Sequence, residues 1–124
     1  MRNQVAFPYT AEGAVTAHRI VKAGANDGGV LQASAATDKF MGVADSLGAD
    51  AAGDRCEVYK AGSVEVEFGG AVAAGDPITA DAEGRGIKAA PDAGDNVRII
   101  GFAEVAGVLG DVADVFLSPG VMQG

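Results

Sequence analysis

Chemistry in this chain of 124 residues would have to start from very few groups. There is one histidine, His18, and one cysteine, Cys56. A histidine can serve as general base or metal ligand near neutral pH. His18, however, has no second histidine and no neighbouring cysteine to complete such a site, and it reads as a strand-edge residue. A cysteine is a nucleophile once ionised. Cys56 stands between Arg55 and Glu57, in mixed charge, and reads as a half-buried structural thiol behaving like a small hydrophobe. Glu65 and Glu67 alternate along one strand and so point to one side, an arrangement a paired-carboxylate site needs; the same spacing describes a solvated outer face, which is the plainer reading.

The eleven aspartates invite a calcium reading. "GADAAGDR" at Gly48 and "DAEGRG" at Asp81 put acids in loops, but neither carries the 1, 3, 5 ligand spacing with a closing glutamate that an EF-hand loop uses. "KAGANDGG" at Lys22 is glycine-rich yet has no strand-to-helix G-x-G-x-x-G and no Walker lysine. No nucleophile, base and oxyanion donor assemble. The expectation is therefore a protein that is not an enzyme, with no catalytic residue, no metal site and no cofactor.

Composition narrows the alternatives. The formal charge is −8, and Lys and Arg are never clustered. Phosphate recognition needs clustered cations, so neither nucleic acid nor an anionic membrane surface is an expected partner. A single cysteine excludes an intrachain disulfide and a zinc-ligand cluster, and a cytosolic assembly history is the simplest reading. The N-terminus, "MRNQVAFPYTAEG", lacks the apolar run of a signal peptide, and no stretch approaches the roughly 18 apolar residues of a membrane span. Ala and Gly make up more than a third of the chain, while Val, Ile, Leu and Phe supply 29 residues and Trp is absent. Small hydrophobes bury little area each, which favours a subunit that gains burial from its neighbours.

The elements that would position any site read as short strands. Residues 1–11 are expected to form an extended N-terminal arm in which Val5, Phe7 and Tyr9 alternate with Ala6 and Pro8, Pro8 forbidding a central-strand position. The remainder, 12–124, reads as one mainly β domain with little helix. "HRIVKAG" and "VLQAS" flank a turn at "NDGG". Phe40 to Ala44 is a short apolar strand, followed by a short helix or turn near Ser46. In "CEVYKAGSVEVEF", Val64, Val66 and Phe68 alternate with Glu65 and Glu67, the period-2 signature of a half-buried strand, and "KAGS" is expected to close a hairpin with the strand before it. Asp76 and Pro77 suit the first two positions of a type I turn.

The chain also repeats itself. "GAVTAHRIVKAGANDGGVLQA" from Gly13 and "GAVAAGDPITADAEGRGIKAA" from Gly70 align at an offset of 57 residues, and "FMGVAD" at Phe40 matches "IIGFAE" at Ile99 two residues later. Two pseudo-repeats, about 13–45 and 70–104, are the expected plan. A lone strand–turn–strand unit is too small to be stable; two packed together make a small barrel-like or β-clip-like fold.

Taken together, "AVTAHRIVKAG", "FMGVAD", "GGAVAAGDPITAD", "GRGIKAA" and "VRIIGFAEV", closing on "LSPG", resemble the capsid cement, or head decoration, family of tailed phages, from about Tyr9 to the C-terminus. The resemblance implies a virion structural protein of a phage or prophage. It would be made in the host cytoplasm, bind major capsid protein on the outer surface of the expanded shell, and stabilise that shell against the pressure of packaged DNA. It further implies a β-clip-like homotrimer and an N-terminal arm ordering against the capsid, for which Val5, Phe7, Pro8 and Tyr9 are the candidate contacts. The alternatives are another virion component, from tail or baseplate, and a small-molecule binder on the same scaffold, which a deep pocket with converging polar groups would favour.

Overall fold

The computed structural model describes residues 4–124. Ten strands follow one another: β1 (Val5–Ala11), β2 (Ile20–Ala23), β3 (Gly29–Gln32), β4 (Phe40–Ala44), β5 (Arg55–Ala61), β6 (Ser63–Glu67), β7 (Pro77–Ala80), β8 (Gly86–Lys88), β9 (Asn96–Ala103) and β10 (Val112–Gln123). No helix occurs among the described residues; the turn near Ser46 is held instead by Asp45 Oδ1, which accepts the amides of Leu47 (3.0 Å) and Gly48 (3.2 Å). The protein is mainly β.

The first five strands close a barrel in the order β1-β3-β2-β4-β5, and the last five form a sheet in the order β6-β10-β9-β7-β8. These are one order read in opposite directions. Advancing β2, β3 and β5 by 57 residues gives the starts of β7, β8 and β10. The pairing agrees residue by residue: Phe7 opposite Val58 and Tyr9 opposite Cys56 in the barrel become Val64 opposite Val115 and Val66 opposite Ala113 in the sheet. The barrel is sealed where β1 runs parallel to β3 at Thr10 and Ala11. The second unit makes only a single parallel bridge there, Phe68 to Gly86.

That gap is where the two units join. In a strand, successive side chains face opposite ways. Val21 and Ala44 point into the barrel, with Val30, Cys56 and Val58. Their neighbours Ile20 and Val43 point outward, into a core shared with Val64, Val66, Phe68, Ile78, Ile100 and Val115 of the second unit. Backbone bonds lace the seam: Glu67 donates to His18 (3.0 Å), Ile20 to Gly84 (2.8 Å) and Arg98 to Ala36 (2.8 Å).

Three local expectations are corrected. Residues 5–11 of the expected arm are a paired strand: Val5 to Thr10 pair with β5 and the end of β1 pairs with β3, with Ala11 in the barrel core; residues 1–3 of that expectation lie outside the described residues. Pro8 sits where β1 has β5 as its neighbour on one side only, which suits a residue without an N–H. No β5–β6 hairpin forms. Both edges of β5 are occupied, by β1 and β4, so Gly62 (φ 91°) carries the chain across to the second unit, where β6 pairs with β10. Finally, the turn before β7 spans Ala73 to Asp76, with Asp76 last rather than first; its amide donates to Ala73 O (3.1 Å).

Candidate docking surface

That last turn is one of three fastened in the same way by an aspartate. Asp76 Oδ2 accepts the Ala73 amide (2.9 Å) while the Asp76 amide donates back to Ala73 O. Asp54 and Asp111 do the same for Ala51 (3.1 Å) and Val108 (2.9 Å). In each the residue before the aspartate is a glycine with φ near 90°, the third position of a type II turn. The signal was present in the sequence as a recurring Gly-Asp, at 53–54, 75–76, 94–95 and 110–111. These loop acids fasten turns, and no group of three or more His, Cys, Asp or Glu arranged to hold a metal occurs among the described residues.

His18 occupies the position of that glycine in the first unit, with φ 61°. Its place is set by backbone geometry, which aims its carbonyl at the Glu67 amide across the seam. Cys56 is fully buried in the barrel; burial first, then the negative charges of Asp45 and Glu57, push its thiol up to about 11. A thiol so placed is inert rather than nucleophilic. Glu65 and Glu67 do not act as a pair. Glu67 is tied to Arg19, whose Nη2 and Nε lie 3.2 and 3.3 Å from its Oε1, while Glu65 stays exposed.

Two further carboxylates fasten loops. Glu12 accepts the amides of Asn26 (3.0 Å) and Ala25 (2.7 Å), which hold its pKa below the ordinary value. Burial raises Asp38, but the Ser34 amide (2.8 Å), the Lys22 ammonium (3.5 Å) and the Ala35 amide (3.0 Å) outweigh it and leave the carboxyl below its usual range.

The concavities are small. Two depressions of about 200 and 230 Å³, the second lined by His18, Tyr59 and Glu65, fall below the roughly 300–1,000 Å³ of ligand pockets. A broader one of about 380 Å³ is an open trough along the Leu47–Arg55 loop.

What the surface does offer is apolar. Of the residues expected to contact a partner, Val5 and Phe7 are 44% and 48% exposed, Pro8 is exposed beside them, and Tyr9 is half-buried against the barrel core with its hydroxyl accepting a bond from Lys60 Nζ (2.8 Å). The sequence reading missed a second set on the other unit: Phe102, Val108, Leu109, Val112 and Phe116, all more than two-fifths exposed. Of these, Phe102 and Phe116 lie directly opposite each other on neighbouring strands.

The described residues form a double β unit with aspartate-fastened turns, a buried thiol and several apolar side chains turned outward. Residues 1–115 match the model of the phage cement protein family, and the chain belongs to that family; its role is structural and capsid-associated, placing it in the virion. Among solved structures, the fold is similar to the N base of the head fiber gp8.5 of bacteriophage phi29, with a TM-score of 0.67 and 22% identity over 93% of this chain and 94% of that one. No curated protein matches.

Proposed function

We propose that this protein is a cement subunit. It binds major capsid protein on the outer surface of the expanded shell and stabilises the shell against the pressure of packaged DNA, after synthesis in the host cytoplasm. Membership of the cement family over residues 1–115 carries this reading. The charge of −8 supports an outer rather than a DNA-facing position, because like charge repels phosphate.

The subunit acts as a homotrimer, and the exposed end of β1, with Val5, Phe7, Pro8 and Tyr9, contributes to the capsid contact. Over these residues β1 keeps one edge unpaired among the described residues, which an extended capsid segment can join. Three modest contacts on one trimer hold strongly when the shell presents them in matching geometry.

The test is co-sedimentation of the purified protein with expanded shells assembled from the capsid protein encoded alongside it. Saturable binding in a multiple set by the shell's three-fold positions, with light scattering reporting a trimer, supports the reading. Absence of binding to correctly expanded shells overturns it.

A further inference from the structure

Toward Asn96 the second sheet narrows to two strands. β6 pairs with β10 only from Val112 to Phe116, and β7 pairs with β9 only at Phe102 and Gly101. Residues 96–99 and 120–123 therefore form a ribbon with no third strand among the described residues. This ribbon carries an arginine that the fold does not use. Arg19 pairs with Glu67, Arg55 with Glu57, and Arg85 with Asp81 and Glu83. The Arg98 guanidinium has neither hydrogen bond nor ion pair among the described residues; only its backbone is engaged, the amide donating to Ala36 O (2.8 Å). The side chain is exposed and borders the depression of about 200 Å³ with Phe40, Pro119 and Val121. Val121 lies opposite it and is 65% exposed.

The complementary group sits in the turn that leads into the same strand. Of the four Gly-Asp turns, those ending at Asp54, Asp76 and Asp111 are each fastened by the aspartate carboxylate. The fourth is closed by backbone alone: the Asp95 amide donates to Asp92 O (2.9 Å), while the Asp95 carboxylate accepts nothing among the described residues and is exposed. One end of β9 thus holds an unpaired cation and an unpaired anion. Charge commits this patch to a second copy of the chain. At a formal charge of −8 copies repel one another, so a contact between them has to set a cation against a carboxylate. A patch that bears both is complementary to itself, as contact between identical subunits requires. Close to a rotation axis, one small patch meets its own copies.

We propose that Arg98 of one copy pairs with Asp95 of the next around the axis of the trimer. The proposal rests on the homotrimer reading and assigns its contact. A guanidinium presents a fork of donors that matches both oxygens of a carboxylate. Covering Val121 and Phe40 at the same contact removes water from the pair, and its attraction strengthens as the surrounding dielectric falls.

The test follows assembly of the full-length protein by sedimentation equilibrium and light scattering. Arg98→Asp and Asp95→Arg each set like charges against one another, and the double variant restores the pair with its signs exchanged. Asp27→Arg, at an exposed aspartate on the β2–β3 turn, is the control for net charge. Wild type is expected to form a trimer. Each single variant is expected to need about tenfold or more protein to assemble, the double variant to regain assembly, and the control to assemble at least as well as wild type. Asp95→Arg is the sharper of the two, because it lowers the net charge and overall repulsion alone would make it assemble better. Thermal unfolding accompanies every variant, and if one single variant misfolds the other still decides. Single variants that assemble as wild type overturn the assignment and leave the trimer standing. Loss of assembly that the double variant does not restore overturns the pairing of Arg98 with Asp95. A wild type that stays monomeric overturns both the pairing and the homotrimer, while co-sedimentation with expanded shells reports the cement reading separately.

Discussion

Arg19 reaches from the barrel to Glu67 of the second unit with its Nη2 3.2 Å and its Nε 3.3 Å from one carboxylate oxygen, and its Nη1 donates to Glu83 O at 2.8 Å. One side chain thus ties the barrel to both β6 and the β7–β8 turn. Both partners are mostly shielded from water, where a charge-assisted bond is strong and an abandoned partner is costly. Arg19→Ala is expected to destabilise the protein by about 2 kcal/mol. Equilibrium urea unfolding checks this, and a change under half a kcal/mol would show that the backbone seam holds the units unaided.

The matched motifs "FMGVAD" and "IIGFAE" share a glycine for a steric reason. A Cβ on Gly42 would press into the carbonyl oxygen of Tyr59, and one on Gly101 into that of Phe116. Tyr59 and Phe116 are themselves related by 57 residues. Neither backbone can yield without breaking its ladder. Gly101→Ala is expected to cost about 3 kcal/mol or more, among the larger effects of single substitutions. Gly70→Ala, whose Cβ would meet only Ile87 Cγ2 at 3.9 Å, is expected to stay within about half a kcal/mol. Equal melting temperatures for the two variants would contradict the steric argument.

His18 holds a left-handed backbone that histidine adopts more readily than most residues but glycine adopts freely. His18→Gly is expected to keep or raise stability by up to about 1 kcal/mol, while His18→Val loses at least as much, since a β-branched side chain resists positive φ. Thermal melts of both decide it. A large loss in His18→Gly would mean that the imidazole itself has a structural or chemical role.

Cys56 makes stability fall at alkaline pH. Its folded pKa, about 11, lies above the ordinary value of 9.0. Below pH 9 the thiol is protonated in both states and its contribution is fully present; between pH 9 and 11 the unfolded thiol ionises while the folded one does not, so stability drops by up to about 2–3 kcal/mol. Urea midpoints measured from pH 8 to 11 in wild type and Cys56→Ala should converge as pH rises, apart from other titrating groups common to both. Alkylation of Cys56 at pH 8 is expected only after unfolding; rapid labelling of native protein would refute the burial.

Several features were legible before the fold was known. Phe40–Ala44 is the strand that its apolar run announces, and Val64, Val66 and Phe68 all turn inward as their alternation requires. The repeat of 57 residues runs through strand order and register alike. Local sequence carries these because period-2 patterning and turn residues act over a few positions. The β5–β6 hairpin failed for the converse reason. Two strands joined by a tight link look like a hairpin from either side of it, and only the prior claims of β1 and β4 on β5 exclude that pairing.

The sequence by itself determined a mainly β chain of two matching halves, with one histidine, one cysteine and a formal charge of −8. Tertiary structure alone decided which half is covered. Val43 and Phe102 sit at matching places in matching motifs, yet one is fully buried and the other 41% exposed, because burial of an outward residue depends on what packs over its face: the second unit packs over Val43, and among the described residues nothing covers Phe102 to that extent.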